Sequence, residues 1–497
     1  MTQLLAAVVG AAAMAAAQGQ MAGITIPTGP RPVADSLPDL GSSANAGLTR
    51  ADEFQIGRMM MRDLRGQNAV LDDPETEDYM QALGSRISVE AQDGQQPFNF
   101  FAVRDRSINA FALPGGFIGI NTGLILLTES ESELAGVIAH EVGHVAQRHI
   151  ARAVQAQSRS NLATMATTLG AILIGAVTGN ANALPGIIAA GQGAAMQAQI
   201  NFTRREETEA DRVGIGYVAE AGFDPNGMAA FFSTMMRQRG TAGDDIPELL
   251  LDHPVDATRV AEARARVASL SAYQRRPDSA SYNFIRERLR VETAATSTDM
   301  RRYYEHQLEA DPGNSALQYG AALAEMKSGD PGKAVTLLAP LVNAQPELSL
   351  LHSTLGQAQM AAGQTDDACR TFERGLALSP RNVPLSVRYA EALMAVGQPK
   401  KAHVLLLDLF NKVMPTPQQI RLIALAANAA GDTADAYSYM AELHVASGDL
   451  GLATTQLDMA LNTPGINAVQ RKRFQARRDE IRGYMSEQRN SRTSRSD

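Results

Sequence analysis

Two histidines separated by three residues, with a glutamate beside the first, are the group in this sequence best suited to chemistry. They are His140 and His144, and the glutamate is Glu141. Residues four apart in a helix lie about 40° apart around its axis, so both rings can reach one metal ion. Such a pair with an adjacent carboxylate as general base is typical of zinc hydrolases. The alternative is two surface histidines on an ordinary helix.

The segment around these histidines is predicted to be a helix. Apolar residues recur at helical spacing from Leu134 to Val145, and Ser130 followed by Glu133 has the pattern of a capping box. We therefore expect the helix to start at Ser130, about three turns before the first histidine. A rigid helix is the support that a metal site needs.

A second acidic segment is predicted to complete the site. Catalytic zinc usually has three protein ligands and leaves its fourth position for water. Glu207 is the predicted third ligand, and Asp211, one turn later, is predicted to accept the ring N–H of a ligating histidine. Glu206 and Glu209 are expected to be solvated charges, which is also the alternative for Glu207.

Three further residues are considered for supporting roles. On a continuous helix His149 is rotated by about 140° from His144, so we expect it to be a surface or packing residue. His253 and Arg259 are predicted catalytic residues that donate to the oxyanion of a tetrahedral intermediate. His253 could instead occupy the open metal position and hold the enzyme inactive, or be a loop histidine without a role.

A hairpin is predicted ahead of the helix. Residues 98–103 and 108–120 are rich in aromatic and β-branched residues, with a break at 104–107. An edge strand here could hold an extended substrate by backbone hydrogen bonds, whereas the alternative for residues 114–116 is a simple turn between strands. The predicted substrate-binding residues are Asn109, Ala110, Phe111 and Ala112.

Length and composition predict a protein of several domains. A chain of 497 residues corresponds to roughly three units of ~150 residues, and its 45% hydrophobic share can build ordinary cores. The net charge of −8 argues against a nucleic-acid partner. The single cysteine, Cys369, excludes an intramolecular disulfide and a cysteine-rich metal site.

The N-terminal sequence predicts secretion. Residues 1–17 have the apolar run and small-residue cleavage site of a signal peptide, although no Lys or Arg precedes the run. Residues 18–48 are predicted to be an extended N-terminal segment of the mature protein. The compartment that this implies is the bacterial periplasm.

Residues 49–275 are predicted to form the metal-binding domain. Within it, residues 160–203 carry no charge and are predicted to form a helical flap. The flap could cover the metal cleft, present an apolar surface to unfolded clients, or rest at a membrane surface. The alternative for this segment is a buried helical pair in the catalytic core.

The sequence repeats every 34 residues from about residue 314 onward. The spacing is that of tetratricopeptide repeats, which stack into a curved solenoid that binds protein segments. The repeat domain is predicted to span residues 276–490, followed by a disordered tail at 491–497. The repeating positions are Gly329, Gly363, Gly397 and Gly431 together with Ala334, Ala368, Ala402 and Ala436.

The last part of the repeat region departs from this pattern. Gly448 and Ala453 repeat the glycine and alanine spacing about half a unit early, so the register is predicted to shift after Gly431. The basic residues between 471 and 482 are predicted to lie on a solvated capping helix, with a docking patch for an acidic partner as the alternative.

Three motifs in order resemble the gluzincin metallopeptidases, the group that includes the CAAX prenyl proteases and the mitochondrial Oma-type proteases. The motifs are residues 109–116, 140–144 and 207–211. The resemblance implies one Zn²⁺ per chain bound by His140, His144 and Glu207, with Glu141 as the catalytic base. It also implies a mainly α fold, in which an α+β zincin-type catalytic domain with a small β-sheet precedes the α-helical repeat solenoid.

The resemblance, the repeats and the N-terminal sequence together imply a function. They indicate a zinc endopeptidase of the periplasm that degrades misfolded or stalled envelope proteins and, through its repeats, assists outer-membrane protein assembly. The expected partners are unfolded envelope proteins and the outer-membrane assembly machinery, with peripheral membrane contact. The alternative is a chaperone or assembly scaffold whose protease activity is latent or secondary.

Overall fold

The computed structural model describes residues 24–26, 48–91, 97–156, 204–241, 247–270 and 273–493. The predicted signal peptide and the predicted flap at 160–203 lie outside these ranges, as does most of the predicted N-terminal segment. Among the described helices, none is both long enough and apolar enough to span a membrane.

The chain forms two compact units. One comprises the described residues within 29–388, and the other comprises the described residues within 1–28 and 389–497. The boundary between the units therefore lies inside the repeats, more than a hundred residues after the start predicted for the repeat domain. The first repeats belong to the same unit as the metal-binding domain.

The larger unit is mainly helical, as predicted, with one small sheet. Its elements before the repeats are α1 (Arg50–Gly66), α2 (Pro74–Ser88), β1 (Asn99–Val103), β2 (Ala110–Leu113), β3 (Phe117–Asn121), α3 (Thr122–Leu127), α4 (Glu131–Ala146), α5 (His149–Ala156), α6 (Arg204–Glu220), α7 (Asn226–Thr241), α8 (Glu248–Asp252), α9 (Ala257–Ala268), α10 (Ala280–Glu292) and α11 (Ser297–Ala310). A short 3₁₀ turn, Val89–Ala91, follows α2.

The sheet has the strand order β1-β3-β2, with β1 parallel and β2 antiparallel to β3. The predicted hairpin between 98–103 and 108–120 is therefore wrong, because the hairpin lies within the second run. Gly115 and Gly116 adopt positive φ angles of 81° and 84° and turn the chain there. The sheet places β2 at its edge among the described strands.

Helix α4 lies at the centre of this unit. Every residue from Glu131 to His144 is buried, so the helix is covered on all its faces. Helices α2, α6 and α7 and strand β2 pack around it. A helix in this position gives its side chains little freedom, which suits the support of a metal site.

The repeats begin at α12. Helices α12 to α16 are Ser315–Lys327, Pro331–Ala344, Ser349–Ala361, Thr365–Leu378 and Val383–Ala395, and α17 to α21 are Pro399–Phe410, Pro417–Ala429, Thr433–Ala446, Leu450–Leu461 and Ala468–Thr493. From α14 to α19, each helix starts 34 residues after the helix two places before it, as predicted. The glycines at 329, 363, 397 and 431 all have positive φ, which ends the first helix of each pair.

The predicted shift of register after Gly431 stays a prediction, because the helices start about every half repeat and a half-unit shift would leave these starts in place. Helices α20 and α21 begin 33 and 35 residues after α18 and α19, so the helical phase is almost kept. Gly448, with φ 77°, follows α19 in the same conformation as the glycines that end the first helix of each earlier pair. A tight glycine turn replaces the longer connection there, which explains the early glycine.

Helix α21 caps the repeats. Arg478 and Arg482 pair with Asp458 of α20 at 2.9 and 3.1 Å, so these basic side chains face the preceding helix. These contacts favour the capping helix over the docking patch. The helix continues to Thr493, three residues into the predicted disordered tail.

Candidate metal centre

Helix α4 carries the two histidines and begins where the sequence predicts. The Ser130 hydroxyl accepts the backbone N–H of Glu133 at 3.2 Å, which caps the helix. The Glu133 carboxylate accepts the N–H of Glu129 at 2.9 Å, one residue earlier than a capping box requires. The helix start is thus confirmed, with a modified cap.

Small residues bring helix α6 close to α4. A Cβ atom added to Gly214 would lie 3.0 Å from the Ala139 carbonyl oxygen, and one added to Gly143 would lie 3.1 Å from that of Ala210. Both distances are tighter than ordinary van der Waals contact. The close approach carries Glu207, on the first turn of α6, to the histidines of α4.

The atoms of three predicted ligands converge. The Nε2 atoms of His140 and His144 are 3.0 Å apart, and Glu207 Oε2 and Oε1 lie 3.5 and 3.4 Å from them. Donors that bind one ion tetrahedrally at about 2.0–2.1 Å are about 3.3–3.4 Å from one another. All three side chains are buried. The donor types and their spacing therefore fit a zinc ion.

His253, immediately after α8, joins this group. Its Nδ1 lies 3.3 Å from His140 Nε2 and 2.9 Å from Glu207 Oε1. The four side chains could bind one metal ion together, since one ligand atom of each lies within 4.8 Å of the others. His253 thus occupies the fourth coordination position, which a catalytic zinc site leaves for water.

Glu141 lies beside the cluster with an unusual environment. It is fully buried, and neither of its carboxylate oxygens accepts a hydrogen bond from any described residue. His253 Nε2 lies 3.7 Å from Glu141 Oε1. Burial raises the pKa of Glu141, and the charges of His253 and His140 oppose this. A buried carboxylate with unfilled acceptors is suited to take a proton from water.

Asp211 and Arg259 hold the cluster from the side of α6 and α9. Asp211 Oδ1 lies 2.8 Å from His140 Nδ1, where the sequence analysis expects an acceptor. Arg259 donates to both Asp211 oxygens at 2.8 Å and lies 2.8 Å from Glu207 Oε2. These contacts make Arg259 a positioning residue for two carboxylates. Its predicted donation to an oxyanion stays a prediction.

The electrostatics of the site favour a positive charge between the carboxylates. Burial alone would lower the pKa of His140, but the hydrogen bonds and charges of Asp211 and Glu207 outweigh it and raise that pKa to about 10. The pKa of Glu207 is held well below its ordinary value, because His253, His140 and His144 together outweigh the effect of burial. Carboxylates that stabilise a proton here would also stabilise a metal cation.

His149 and Glu209 are contacts of the site that the sequence analysis missed. His149 is fully buried, and its Nδ1 lies 2.8 Å from His144 Nδ1. Its Nε2 lies 3.4 Å from Glu209 Oε2, and Glu209 also accepts from Arg152 at 2.8 Å. His149 is therefore the packing residue of the two alternatives expected for it, whereas the expectation of a solvated Glu209 is wrong.

The reason is a break in the helix. The rotation of about 140° applies to a continuous helix, whereas α4 ends at Ala146 and Arg148 adopts a positive φ of 53°. The chain then turns, and α5 begins at His149. No glycine or proline in residues 145–149 signals this turn, so the sequence offered little to find it.

The predicted substrate residues form the edge strand β2 or precede it. Ala110, Phe111 and Ala112 pair with β3, and Asn109 accepts the N–H of Asn121 through its carbonyl at 2.9 Å. All four predicted residues are buried. Their side chains pack in the protein, which leaves backbone groups as the means of contact. The role of this strand in holding a substrate stays a prediction.

Comparison with known proteins identifies the family. Residues 74–267 match the model of Peptidase family M48, and residues 359–426 match a tetratricopeptide repeat model. The Beta-barrel assembly-enhancing protease of Escherichia coli K12 is 32% identical over 464 residues, which cover 90% of this chain and 92% of that one. This chain belongs to the beta-barrel assembly-enhancing protease family. As a member of that family with an M48 domain, the protein is a zinc metalloprotease.

Other relatives agree with this assignment. A Putative beta-barrel assembly-enhancing protease of Vibrio cholerae is 38% identical over 315 residues, covering 63% of this chain and 64% of that one. The Mitochondrial metalloendopeptidase OMA1 of Arabidopsis thaliana is 26% identical over 240 residues, covering 47% of this chain and 46% of that one. The predicted resemblance to the gluzincin metallopeptidases is confirmed.

Proposed function

We propose that this protein is an endopeptidase of the bacterial periplasm that degrades misfolded or stalled envelope proteins and, through its repeats, assists outer-membrane protein assembly. The convergence of His140, His144 and Glu207 beside the buried Glu141 carries the catalytic part. The names of the relatives and the repeats support the assembly part. The signal-like N-terminus supports the periplasmic location.

Each residue of the site has a proposed role. His140, His144 and Glu207 would bind one zinc ion, which when bound supplies a Lewis acid that polarises a carbonyl and acidifies water. Glu141 takes the proton from the attacking water and passes it to the leaving amine. Asp211 holds the proton of His140 on Nδ1, so that Nε2 presents its lone pair to the ion.

Replacing Glu141 by Gln tests the proposed activity. The amide keeps the size of the side chain but cannot take a proton, so we expect peptide hydrolysis to fall by about 10²-fold or more. The metal content of the purified protein, measured by atomic absorption, should stay unchanged. Glu129→Gln is the matched control, because Glu129 is exposed and lies just before the same helix. Hydrolysis by Glu141→Gln at the wild-type rate would remove Glu141 as the base.

The same variant tests the proposed clients. Glu141→Gln should retain substrates that it cannot cleave, so proteins bound to it after expression in a bacterium can be identified by mass spectrometry. We expect enrichment of outer-membrane and other envelope proteins relative to Glu129→Gln. Enrichment of cytoplasmic proteins alone would contradict the proposed compartment and client class.

The position of His253 favours the second candidate function, an assembly scaffold whose protease is latent at rest. Its Nδ1 lies 2.9 Å from Glu207 Oε1, among the metal-binding atoms. If it fills the open position for roughly 90% of the time, His253→Ala should raise peptide hydrolysis about ten-fold. His306→Ala is the control, since the His306 side chain is 81% exposed. A fall in hydrolysis would instead support His253 as an oxyanion donor and reject the latent form.

A further inference from the structure

A short N-terminal segment contacts the last repeats of the smaller unit. The backbone N–H of Ile26 donates to Glu442 Oε2 of α19 at 2.7 Å, and the guanidinium of Arg477 on α21 donates to the Ile26 carbonyl. Both main-chain groups of one residue are thus bound by two side chains. A β-strand offers the same donor and acceptor to a neighbouring strand.

Glu442 and Arg477 form a buried pair. Glu442 is 1% exposed and Arg477 is 7% exposed, and Arg477 donates from Nε and Nη2 to the two Glu442 oxygens at 2.8 Å. Removing two charges from water is costly unless further hydrogen bonds satisfy them. The segment supplies one such donor and one such acceptor. The pair therefore binds the backbone N–H and carbonyl of the segment, so recognition by these two contacts does not depend on the identity of the side chain.

The exposure of the segment alternates along the chain. The side chains of Ile24 and Ile26 are 5% and 7% exposed, whereas Thr25 between them is exposed. This alternation is typical of an extended chain with one face covered. The contact thus selects apolar residues two apart in addition to the main-chain groups.

We propose that Glu442 and Arg477 mark a binding site for an extended polypeptide segment with apolar residues at alternate positions, which residues 24–26 occupy as an internal ligand. We call it the alternating-segment site. The strands of outer-membrane β-barrels alternate apolar and polar residues in this way, so their unfolded segments fit the site. The assignment of such clients rests on the proposed function, whereas the internal occupancy rests on the contacts alone.

A client segment and residues 24–26 would compete for the alternating-segment site. A client segment can bind only when residues 24–26 leave, so its apparent affinity is reduced by the fraction of time that the site is free. The double variant Ile24→Asp, Ile26→Asp should empty the site, because charged side chains would oppose burial. Thr25→Asp is the matched control, since Thr25 is exposed.

The probe is a fluorescein-labelled peptide with the sequence of residues 21–29, and its binding to the full chain is measured by fluorescence anisotropy. If the internal segment occupies the site for roughly 90% of the time, the double variant should bind the peptide about ten-fold more tightly than wild type. Thr25→Asp should bind it like wild type. Equal affinity of the double variant and wild type would mean that the segment is only a tether and would overturn the proposal.

Two changes to the peptides test the recognition without altering the protein. N-methylation at the position of Ile26 removes the donor to Glu442, so binding to the double variant should weaken about ten-fold or more. An unlabelled peptide of alternating Ile and Thr should compete for the site, and one of the same composition with its Ile residues contiguous should not. Unchanged binding after N-methylation, or equal competition by both peptides, would overturn the proposal.

Light scattering and a hydrolysis assay distinguish this proposal from a dimer contact and from a failure of the proposed enzyme activity. If light scattering shows a wild-type dimer that the double variant loses, the occupant belongs to a second copy, and the assignment of clients is overturned. Glu141-dependent hydrolysis is assayed in the same preparations. Hydrolysis without peptide binding rejects the alternating-segment site alone, whereas peptide binding without hydrolysis rejects the proposed enzyme activity alone.

Discussion

His140 and His144 differ in the group that holds their second ring nitrogen. Asp211 faces Nδ1 of His140, whereas His149 faces Nδ1 of His144. The contact between His144 and His149 is satisfied when His149 donates from Nε2 to Glu209 and accepts at Nδ1 from His144. His144 then presents the lone pair of Nε2 to the metal-binding group. The pKa of His144 is lowered well below its ordinary value, chiefly by burial, which also favours the neutral ligand.

Replacing His149 by Leu should therefore weaken metal binding. Leucine fills the space but cannot accept the Nδ1–H of His144, and losing such an orienting contact typically costs about 10- to 100-fold in metal affinity. The affinity is measured by competition with a chromophoric chelator. His306→Leu, at an exposed position, is the control. A His149→Leu protein that holds zinc as tightly as wild type would show that His149 only fills space.

At the scale of elements, the site depends on the close approach of α4 and α6. Glu207 reaches His140 and His144 because Gly214 and Gly143 let the backbones of the two helices approach closely. The sequence around each glycine does not reveal this role, since a glycine in a helix can also be a residue of low helix propensity without a packing role. The distance between two helices is a property of their contact, and it decides whether three ligands from two elements meet.

Gly214→Val should separate these helices. The added side chain would meet the backbone of Ala139, and overpacking of this kind costs about 1–3 kcal/mol of stability. We expect a lower midpoint in urea and a lower zinc affinity than wild type. Gly216→Val is the matched control on the same helix, because nothing lies within 4 Å of a Cβ atom there. Equal effects of the two substitutions would attribute the loss to helix propensity instead.

At the scale of the larger unit, a buried ionic cluster links the metal-binding domain to the first repeats. Arg288 of α10 donates to Asp73 and Glu75 at the start of α2, at 2.6–2.8 Å. Glu75 also accepts from Ser353 of α14 at 2.7 Å and from Arg388 of α16 at 3.0 Å. These contacts explain why the compact unit extends to residue 388 rather than ending before the repeats.

Arg288→Met should destabilise this unit strongly. Removing one partner of a buried ionic group leaves uncompensated charge, which costs about 3–5 kcal/mol. The free energy of unfolding is measured in urea at neutral pH. Arg302→Met, at an exposed position of α11, is the control and should change it little. A loss no larger than that of the control would show that the cluster contributes specificity rather than stability.

The pH dependence of this effect has a definite sign. Burial would raise the pKa of Glu75, but Arg288 and Arg388 outweigh it and hold that pKa well below the ordinary value of 4.5. A lowered pKa stabilises the folded state above the unfolded value, and the stabilisation is lost as the pH falls below it. The difference between wild type and Arg288→Met should therefore shrink below pH 4.5. A difference that grows on acidification would contradict this assignment.

Local patterns determined much of this protein from the sequence alone. The spacing of His140 and His144 fixes their common helix face, and the step of 34 residues sets the starts of the repeat helices, because both depend on neighbours in the chain. Only the tertiary structure decided the rest. The parallel pairing of β1 with β3, the meeting of His149 with His144 across a positive φ at Arg148, and the contact of Ile26 with Glu442 depend on which segments meet. No short-range pattern records such meetings, since their free energy comes from groups that are distant in the chain or turned by one unusual backbone angle.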